Sequence, residues 1–484
     1  MITQIEIDGF KTFQNFKIEL APFQVIVGPN GSGKSNFFDA LQLLSYLADT
    51  DILSAFQKFR SQADELFTQY PGEVVGNKIR LVVELLVDPT GQDDLGVDFT
   101  LSYTRLHYKI EIARVNPAED LKQRFFIFTE ELYAIPLSED NWYQQYNACP
   151  GVAARARHPE QRVKFITTWY QPSFFPTSDD LQLLEGRFIN LYNAEGLLTR
   201  RQFYPSRMKR TVISTINSTE HPYIYALRKE LQALQLFHLM PNKLYLPSSI
   251  SANPVLHSDG SNLPAVLARL KAEDEFAFRG VSMDMTQLVP EILGIDVEED
   301  ESRREFSIRA KTADQRSFPV RGLSDGTLRL LALATLRNDP HFHGLLCLEE
   351  PENSVQPLYL KKMAQLLYEM ATDLNDPDQI GLPLLQVIIT THSPLFISQP
   401  HVRDALLLTL MSTHVREKNE PAIRVTRMFP VLKSGAPLPT ANGEGKAVAI
   451  YTIDTVREYL DSGVLDEARS ELDTARSYFQ QKDS

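Results

Sequence analysis

The feature that most narrows what this chain can fold into is the run Gly28-Pro29-Asn30-Gly31-Ser32-Gly33-Lys34-Ser35. An unbroken apolar segment, Phe23 to Val27, precedes it, and a helix is expected from Lys34 onward. Glycines let such a loop curl so that successive backbone N–H groups converge on one ligand, and the helix N-terminus adds its positive dipole end. A nucleotide polyphosphate suits that cradle. Lys34 is expected to reach the β and γ phosphates and Ser35 to offer a hydroxyl to magnesium, so Gly28, Pro29, Asn30, Gly31, Ser32, Gly33, Lys34, Ser35 and Asn36 are the expected ATP-binding residues. A strand, phosphate loop and helix in sequence place the chain in the α/β class.

Several other classes are excluded by bulk properties. Hydrophobic residues at 43% and charged residues at 23% are ordinary for a globular protein, and 484 residues suffice for one large domain with an insertion or for two to three domains. No run approaches the roughly 18 apolar residues a membrane span needs. Met1 to Phe16 alternates apolar and charged residues without the features of a secretory signal, so export is not expected. Cys149 and Cys347 are the only cysteines and have no neighbours at metal-ligand spacing; a reducing cytoplasm fits. The net charge of −13 argues against a surface that binds nucleic acid everywhere. Gly151 to Tyr245 departs from it, with 13 Lys and Arg against seven Asp and Glu.

Along the chain, short strands are expected at Gln4–Ile7 and Phe16–Leu20, and a helical stretch at Ile52–Gln69. Alternating β-branched and aromatic residues at Lys78–Val87, Asp98–Val115 and Arg124–Ile135 predict an antiparallel sheet. Residues 136–242 are rich in Tyr, Trp, Phe, Arg and Pro, with weak periodicity and helix-like pieces such as Tyr225–Leu239. They read as an insertion that splits the core. Regular signals resume at Lys243–Leu246, with a hairpin expected over Asp296–Val320. The expected division is therefore 1–135, an N-terminal lobe with the phosphate loop and antiparallel sheet; 136–242, the basic and aromatic insertion; 243–430, a C-terminal lobe; and 431–484, a tail.

The C-terminal lobe carries three further signals. Gly344–Leu348 is an apolar strand ending in Glu349-Glu350-Pro351-Glu352-Asn353, which puts carboxylates where a buried strand emerges. One acid there can hold magnesium through its water shell and another can orient an attacking water, although acids also favour the first turn of a helix. Leu323-Ser324-Asp325-Gly326-Thr327 opens a helix with Ser324 as a natural N-cap and Gly326 leaving space for a phosphate. Val387–Thr391 is a β-branched strand ending in Thr391-His392-Ser393, where a histidine suits either a structural or a catalytic role.

The order of these four elements resembles the ABC ATPase superfamily, and within it the SMC, RecF and overcoming-lysogenization-defect branch. Ile5 to Phe13 together with Gly28 to Asn36 is similar to the opening of those heads. Phe128–Leu132, Asp259–Leu263, Leu323–Thr327, Glu349–Asn353 and Thr391–Ser393 resemble RecF-like ATPases that lack a TOPRIM nuclease domain. The resemblance implies an α/β P-loop NTPase head of ABC type, a mixed sheet plus an antiparallel β lobe, here with a largely helical insertion. It further implies ATP and Mg2+ as ligands, Leu323, Ser324, Asp325, Gly326 and Thr327 as a signature loop acting on a second copy, Glu349 as the magnesium-side acid, Glu350 as catalytic base or water-orienter, and His392 as the switch histidine. A homodimer with two shared sites follows, since the chain has one of each motif. Glu349 replaces the more usual Asp, Gln356 stands where His is common, and Gln123 and Gln171 are candidates for the Q-loop by position only.

Two functions fit. In one, the chain is an ATP-dependent dimeric switch in a DNA-related process such as repair or anti-phage defence, with Arg200, Arg201, Arg207, Lys209 and Arg210 contacting nucleic acid or a partner. Lys and Arg bind phosphates and aromatic side chains stack on unpaired bases. In the other, the chain is an ATP-binding regulatory scaffold that holds a separately encoded effector such as a nuclease. Glu444-Gly445 resembles a TOPRIM start too faintly to count, and transport is not expected without a membrane domain.

Overall fold

The computed structural model describes residues 1–70, 74–114, 125–170, 187–204, 208–312, 314, 316–414, 423–431 and 456. Phe23–Val27 is buried along its whole length, as an apolar run must be when both faces of its sheet are covered. It pairs in parallel with Leu385–Thr391 on one side and Leu406–His414 on the other. Gly344–Glu349 and then Leu234–Phe237 extend the parallel order, and Ile423–Pro430 closes the opposite edge in antiparallel pairing. Alternate side chains enter different cores. Ile26, Ile388 and Cys347 join one hydrophobic cluster, whereas Val25, Val27, Val387, Ile389, Leu346 and Leu348 join the other. Helix Lys34–Leu47 covers the first face, and helices Leu263–Glu273, Glu275–Leu288, Asp325–Asn338 and Pro357–Met370 cover the second.

A second sheet is antiparallel throughout and closes over the far side of the phosphate-loop helix. Among the described residues it has eight strands, in the order 198–203, 187–192, 163–170, 125–134, 105–114, 78–86, 2–8 and 16–19. Its buried face supplies Ile5, Ile7, Leu81, Val83, Ile110 and Ile112 to the cluster that contains Phe37 and Leu41 of the helix. The two sheets are stitched by Gln386, fully buried, whose side chain accepts from Ile2 N at 2.9 Å and donates to Ile2 O and Ala21 O at 2.8 and 3.0 Å. The hairpin expected over Asp296–Val320 is present as Ile292–Asp300 paired with Glu305–Thr312.

The structure differs from the sequence reading mainly within 136–242. The expected helices are there, but three strands, Val163–Tyr170, Arg187–Tyr192 and Leu198–Phe203, continue the N-terminal antiparallel sheet. The helix expected over Tyr225–Leu239 runs only over Pro222–Gln232, and Leu234–Phe237 is the edge strand of the core sheet, paired with Leu345–Leu348. That short apolar run gains more from a parallel ladder and burial than from continuing the helix. The core sheet thus resumes before residue 243, where only the short helix Pro241–Leu244 was left to mark it. Ile52–Gln69 is likewise broken into a helix at Ile52–Gln57 and a 3₁₀ turn at Ala63–Leu66. The Q-loop candidates Gln123 and Gln171, and the tail apart from Val431 and Val456, lie outside the described residues. No described helix is long and apolar enough to cross a membrane.

Candidate functional site

Helix Lys34–Leu47 begins without a side-chain cap, so its first N–H groups are left for a ligand. Gly33 at its N-cap has φ 99°, and a Cβ there would lie 2.0 Å from Thr426 Oγ1, so both conformation and packing require glycine. Lys34 Nζ donates to Gly28 O at 2.6 Å and Pro29 O at 2.9 Å, curled over its own loop. Ser32 Oγ is buried with no hydrogen-bond partner. Asn36, one residue past the loop pattern, donates to Thr12 Oγ1 at 3.0 Å and ties the loop to the first hairpin.

A cavity of about 450 Å³ opens over this loop. Asn30, Gly31, Gly33, Lys34, Ser35 and Asn36 line one wall, and Glu349, Glu350, Asn353, Thr390, Arg329, His238 and Leu239 line the rest. The strand order explains the meeting: Leu385–Thr391 lies between the strand that feeds the loop and the strand that ends in Glu349, and all three run the same way. Their C-terminal ends therefore emerge together.

Glu350 is the focus of the acidic wall. Its φ of 45° is a left-handed conformation that costs a non-glycine residue energy, on the order of 1–3 kcal/mol. The turn is held by Glu350 N donating to Thr390 O at 2.9 Å and by Asn353 Nδ2 donating to the Glu350 carboxylate at 2.8 Å. Its other oxygen is 2.7 Å from His392 Nδ1. Burial pushes the Glu350 pKa upward, but the hydrogen bonds from Asn353 and His392, with the charges of His392 and Lys34, outweigh it and hold the carboxyl below its usual value. Glu350 is thus an ionised hydrogen-bond acceptor beside a histidine.

Glu349 sits apart from that pair, 3.3 Å from His238 Nδ1. Glu352 points inward instead. One of its oxygens accepts from Thr391 Oγ1, the other is buried with no partner, and burial raises its pKa. Sequence reading assigned no role to His238, Arg329 or Asn353. Asn353 lies within the acidic run, whereas His238 follows the strand Leu234–Phe237 and Arg329 lies on the helix capped by Ser324, and only the fold brings them here.

Leu323–Thr327 does not line this cavity. Ser324 caps helix Asp325–Asn338 as expected, accepting from Thr327 N at 3.2 Å. Gly326 is buried, and a Cβ on it would lie 2.3 Å from Ser354 O, so within this chain its lack of a side chain admits the acidic loop rather than a phosphate. Lys209 and Arg210 are exposed; Arg200 and Arg201 lie on the edge strand Leu198–Phe203, with side chains outside the described residues, as is Arg207 altogether.

The donor set suits a nucleotide with its magnesium: a serine hydroxyl and a carboxylate on facing walls, an orphaned Ser32 Oγ in the loop, and uncapped N–H groups. Among the described residues no three His, Cys, Asp or Glu side chains converge as a closed metal cage, and a phosphate-bound magnesium keeps several waters and needs none.

Residues 228–398 match the family model described as "AAA domain, putative AbiEii toxin, Type IV TA system", and residues 1–63 match "RecF/RecN/SMC N terminal domain". No match was found among curated proteins. Similar solved structures include an SMC head bound to the C-terminal winged-helix domain of ScpA, at 15% identity and a TM-score of 0.45, covering 89% of this chain and 98% of that one. The SMC head domain of Thermotoga maritima is similar at 12% identity and a TM-score of 0.39, covering 89% and 99%. An SMC head from Pyrococcus furiosus, bound to the C-terminal domain of ScpA, is similar at 12% identity and a TM-score of 0.40, covering 89% and 96%.

Proposed function

We propose that this chain, whose residues 1–63 and 228–398 match the two family models, is an SMC/RecF-like ABC-type ATPase head that hydrolyses ATP and works as an ATP-dependent homodimeric switch in a DNA-related process such as repair or anti-phage defence. The observation that supports the reading is one cavity lined by both the phosphate loop with Lys34 and the ionised Glu350, whose carboxylate is hydrogen-bonded to His392. In it, N–H groups of Gly31 to Ser35 and the Lys34 ammonium hold the β and γ phosphates. Ser35 and Glu349 would hold Mg2+, which spreads the charge of the phosphate oxygens. Glu350 orients a water and accepts its proton as the water oxygen attacks the γ-phosphorus. The bond from that phosphorus to the bridging oxygen breaks, and ADP leaves with the electron pair. His392, bonded to Glu350, would act as the switch histidine through that carboxylate.

The dimer part of the proposal follows from what the cavity lacks in this chain: Leu323–Thr327 opens elsewhere, so a second copy would supply it. A nucleic-acid partner is supported by the edge strand that carries Arg200 and Arg201. Beside it, Trp169, Phe188 and Tyr204 form a run of ring contacts, with Trp169 53% and Tyr204 48% exposed. The toxin–antitoxin description of the matched model accords with a role in defence.

Glu350→Gln tests the mechanism. It should keep ATP bound, slow turnover about 100-fold or more, and double the mass by light scattering with ATP, since the amide keeps the shape but cannot accept a proton. Normal hydrolysis by Glu350→Gln, with loss in Glu349→Gln, would mean the two acids have exchanged roles. Lys34→Ala should abolish ATP binding.

A further inference from the structure

The cavity contains a second fixed cation besides Lys34. Arg329 lies on helix Asp325–Asn338, two residues beyond the segment Leu323–Thr327, and lines the same cavity as Glu349 and Glu350. Its guanidinium is half-buried, and its Nε is buried with no hydrogen-bond partner. Burial lowers its pKa, while Asp325, Glu352 and Glu350 act through space to raise it. Arginine nevertheless keeps its charge in proteins, so this is a cation on the cavity lining whose Nε–H has no partner.

Lys34, Arg329 and Glu350 line one cavity. Lys34 reaches the phosphates from the loop, and the proposed hydrolysis needs the γ-phosphate beside Glu350, which leaves Arg329 as a second cation on the cavity that would hold it. We propose that Arg329 is a further nucleotide-binding residue, contacting the terminal phosphate of ATP within the same chain and distinguishing ATP from ADP. The proposal rests on the ATP-site reading above. It adds a route from ligand to partner: Arg329 and the Leu323–Thr327 loop share one helix start, so a γ-phosphate that engages Arg329 also fixes the loop offered to a second copy.

The test titrates a non-hydrolysable ATP analogue and ADP, each with Mg2+, against the full chain and its variants. Arg329→Gln should weaken the analogue about 10- to 100-fold, the range of a hydrogen bond to a charged group, and change ADP less than about twofold. Arg329→Lys keeps a charge without the fork and should show a smaller loss of the same selectivity; it carries the test if Arg329→Gln does not fold. Equal loss of both nucleotides, or no loss of either, overturns the proposal. Lys34→Ala separates the two layers: if it leaves both nucleotides bound, the ATP site itself is misassigned, whereas if it abolishes both while the Arg329 variants stay unselective, only the role of Arg329 fails.

Discussion

Glu130 shows how a residue in a recognisable motif can be structural. It is fully buried in the strand Phe125–Ala134, accepts from Val212 N at 2.7 Å and Ile213 N at 3.1 Å, and receives Tyr108 OH at 3.3 Å. It therefore pins the segment after the edge strands to the sheet. Burial dominates over these bonds and pushes its pKa from 4.5 up to about 7. Between those values the folded state binds more proton than the unfolded chain, so the contribution to stability is complete below about 4.5 and is lost as pH rises through about 7. The full swing is on the order of 3 kcal/mol. Asp140 acts in the opposite sense and in a different window. Burial raises it, but His158 and Arg105 hold it below its usual value, so its stabilisation is lost only on strong acidification. Thermal melts of Glu130→Gln should accordingly show a shallower decline from pH 5 to pH 7 than the parent. A residual slope is expected from Glu352, Asp88 and Asp284, which burial also raises. An unchanged slope would remove Glu130 from this account.

At the scale of elements, the start of helix Asp325–Asn338 and the loop after Glu349 are one packed unit. Gly326 meets the backbone of Ser354 and Val355, so a methyl group there has no flexible side chain to displace. Gly326→Ala should destabilise the chain by about 1–3 kcal/mol and reduce turnover, while leaving the phosphate loop able to bind nucleotide. A melting midpoint equal to that of the parent would show that the contact yields. The same scale exposes where periodicity stops being informative. Leu234, Leu236 and Phe237 suit a helix or a buried strand equally, and the choice is made by Leu345–Leu348, more than a hundred residues away. Val163–Tyr170 and Arg187–Tyr192 likewise gain strand structure from the sheet they extend.

For the whole molecule, the expected surface for a nucleic acid is the open edge of the antiparallel sheet, opposite in charge to a protein of net −13. Replacing Arg200, Arg201, Arg207, Lys209 and Arg210 together by Ala should weaken single-strand binding and reduce the log-log salt slope by about 3 if four contacts are lost. ATP binding should survive, since the five lie outside the phosphate-loop and Leu323–Thr327 segments. Unchanged nucleic-acid affinity, together with loss of a protein in a pull-down, would favour the effector-scaffold function instead.

The sequence alone determined the phosphate loop, the buried strand that feeds it, the capped helix at Ser324 and the acidic and histidine strand ends, because each is encoded by neighbours within a few residues. Glycine at positions 31 and 33, a cap at 324 and apolar runs before the functional residues are local constraints that survive any tertiary arrangement. Which of these motifs meet was decided only by the fold. Parallel pairing of three strands brings Lys34 and Glu350 to one cavity, with His392 bonded to Glu350, and leaves Leu323–Thr327 off its lining. The edge strand Leu234–Phe237 adds His238 and helix Asp325–Asn338 adds Arg329, residues of ordinary local context that reach the cavity only in the fold. Burial and charge at a site are sums over distant neighbours, and no local pattern carries them.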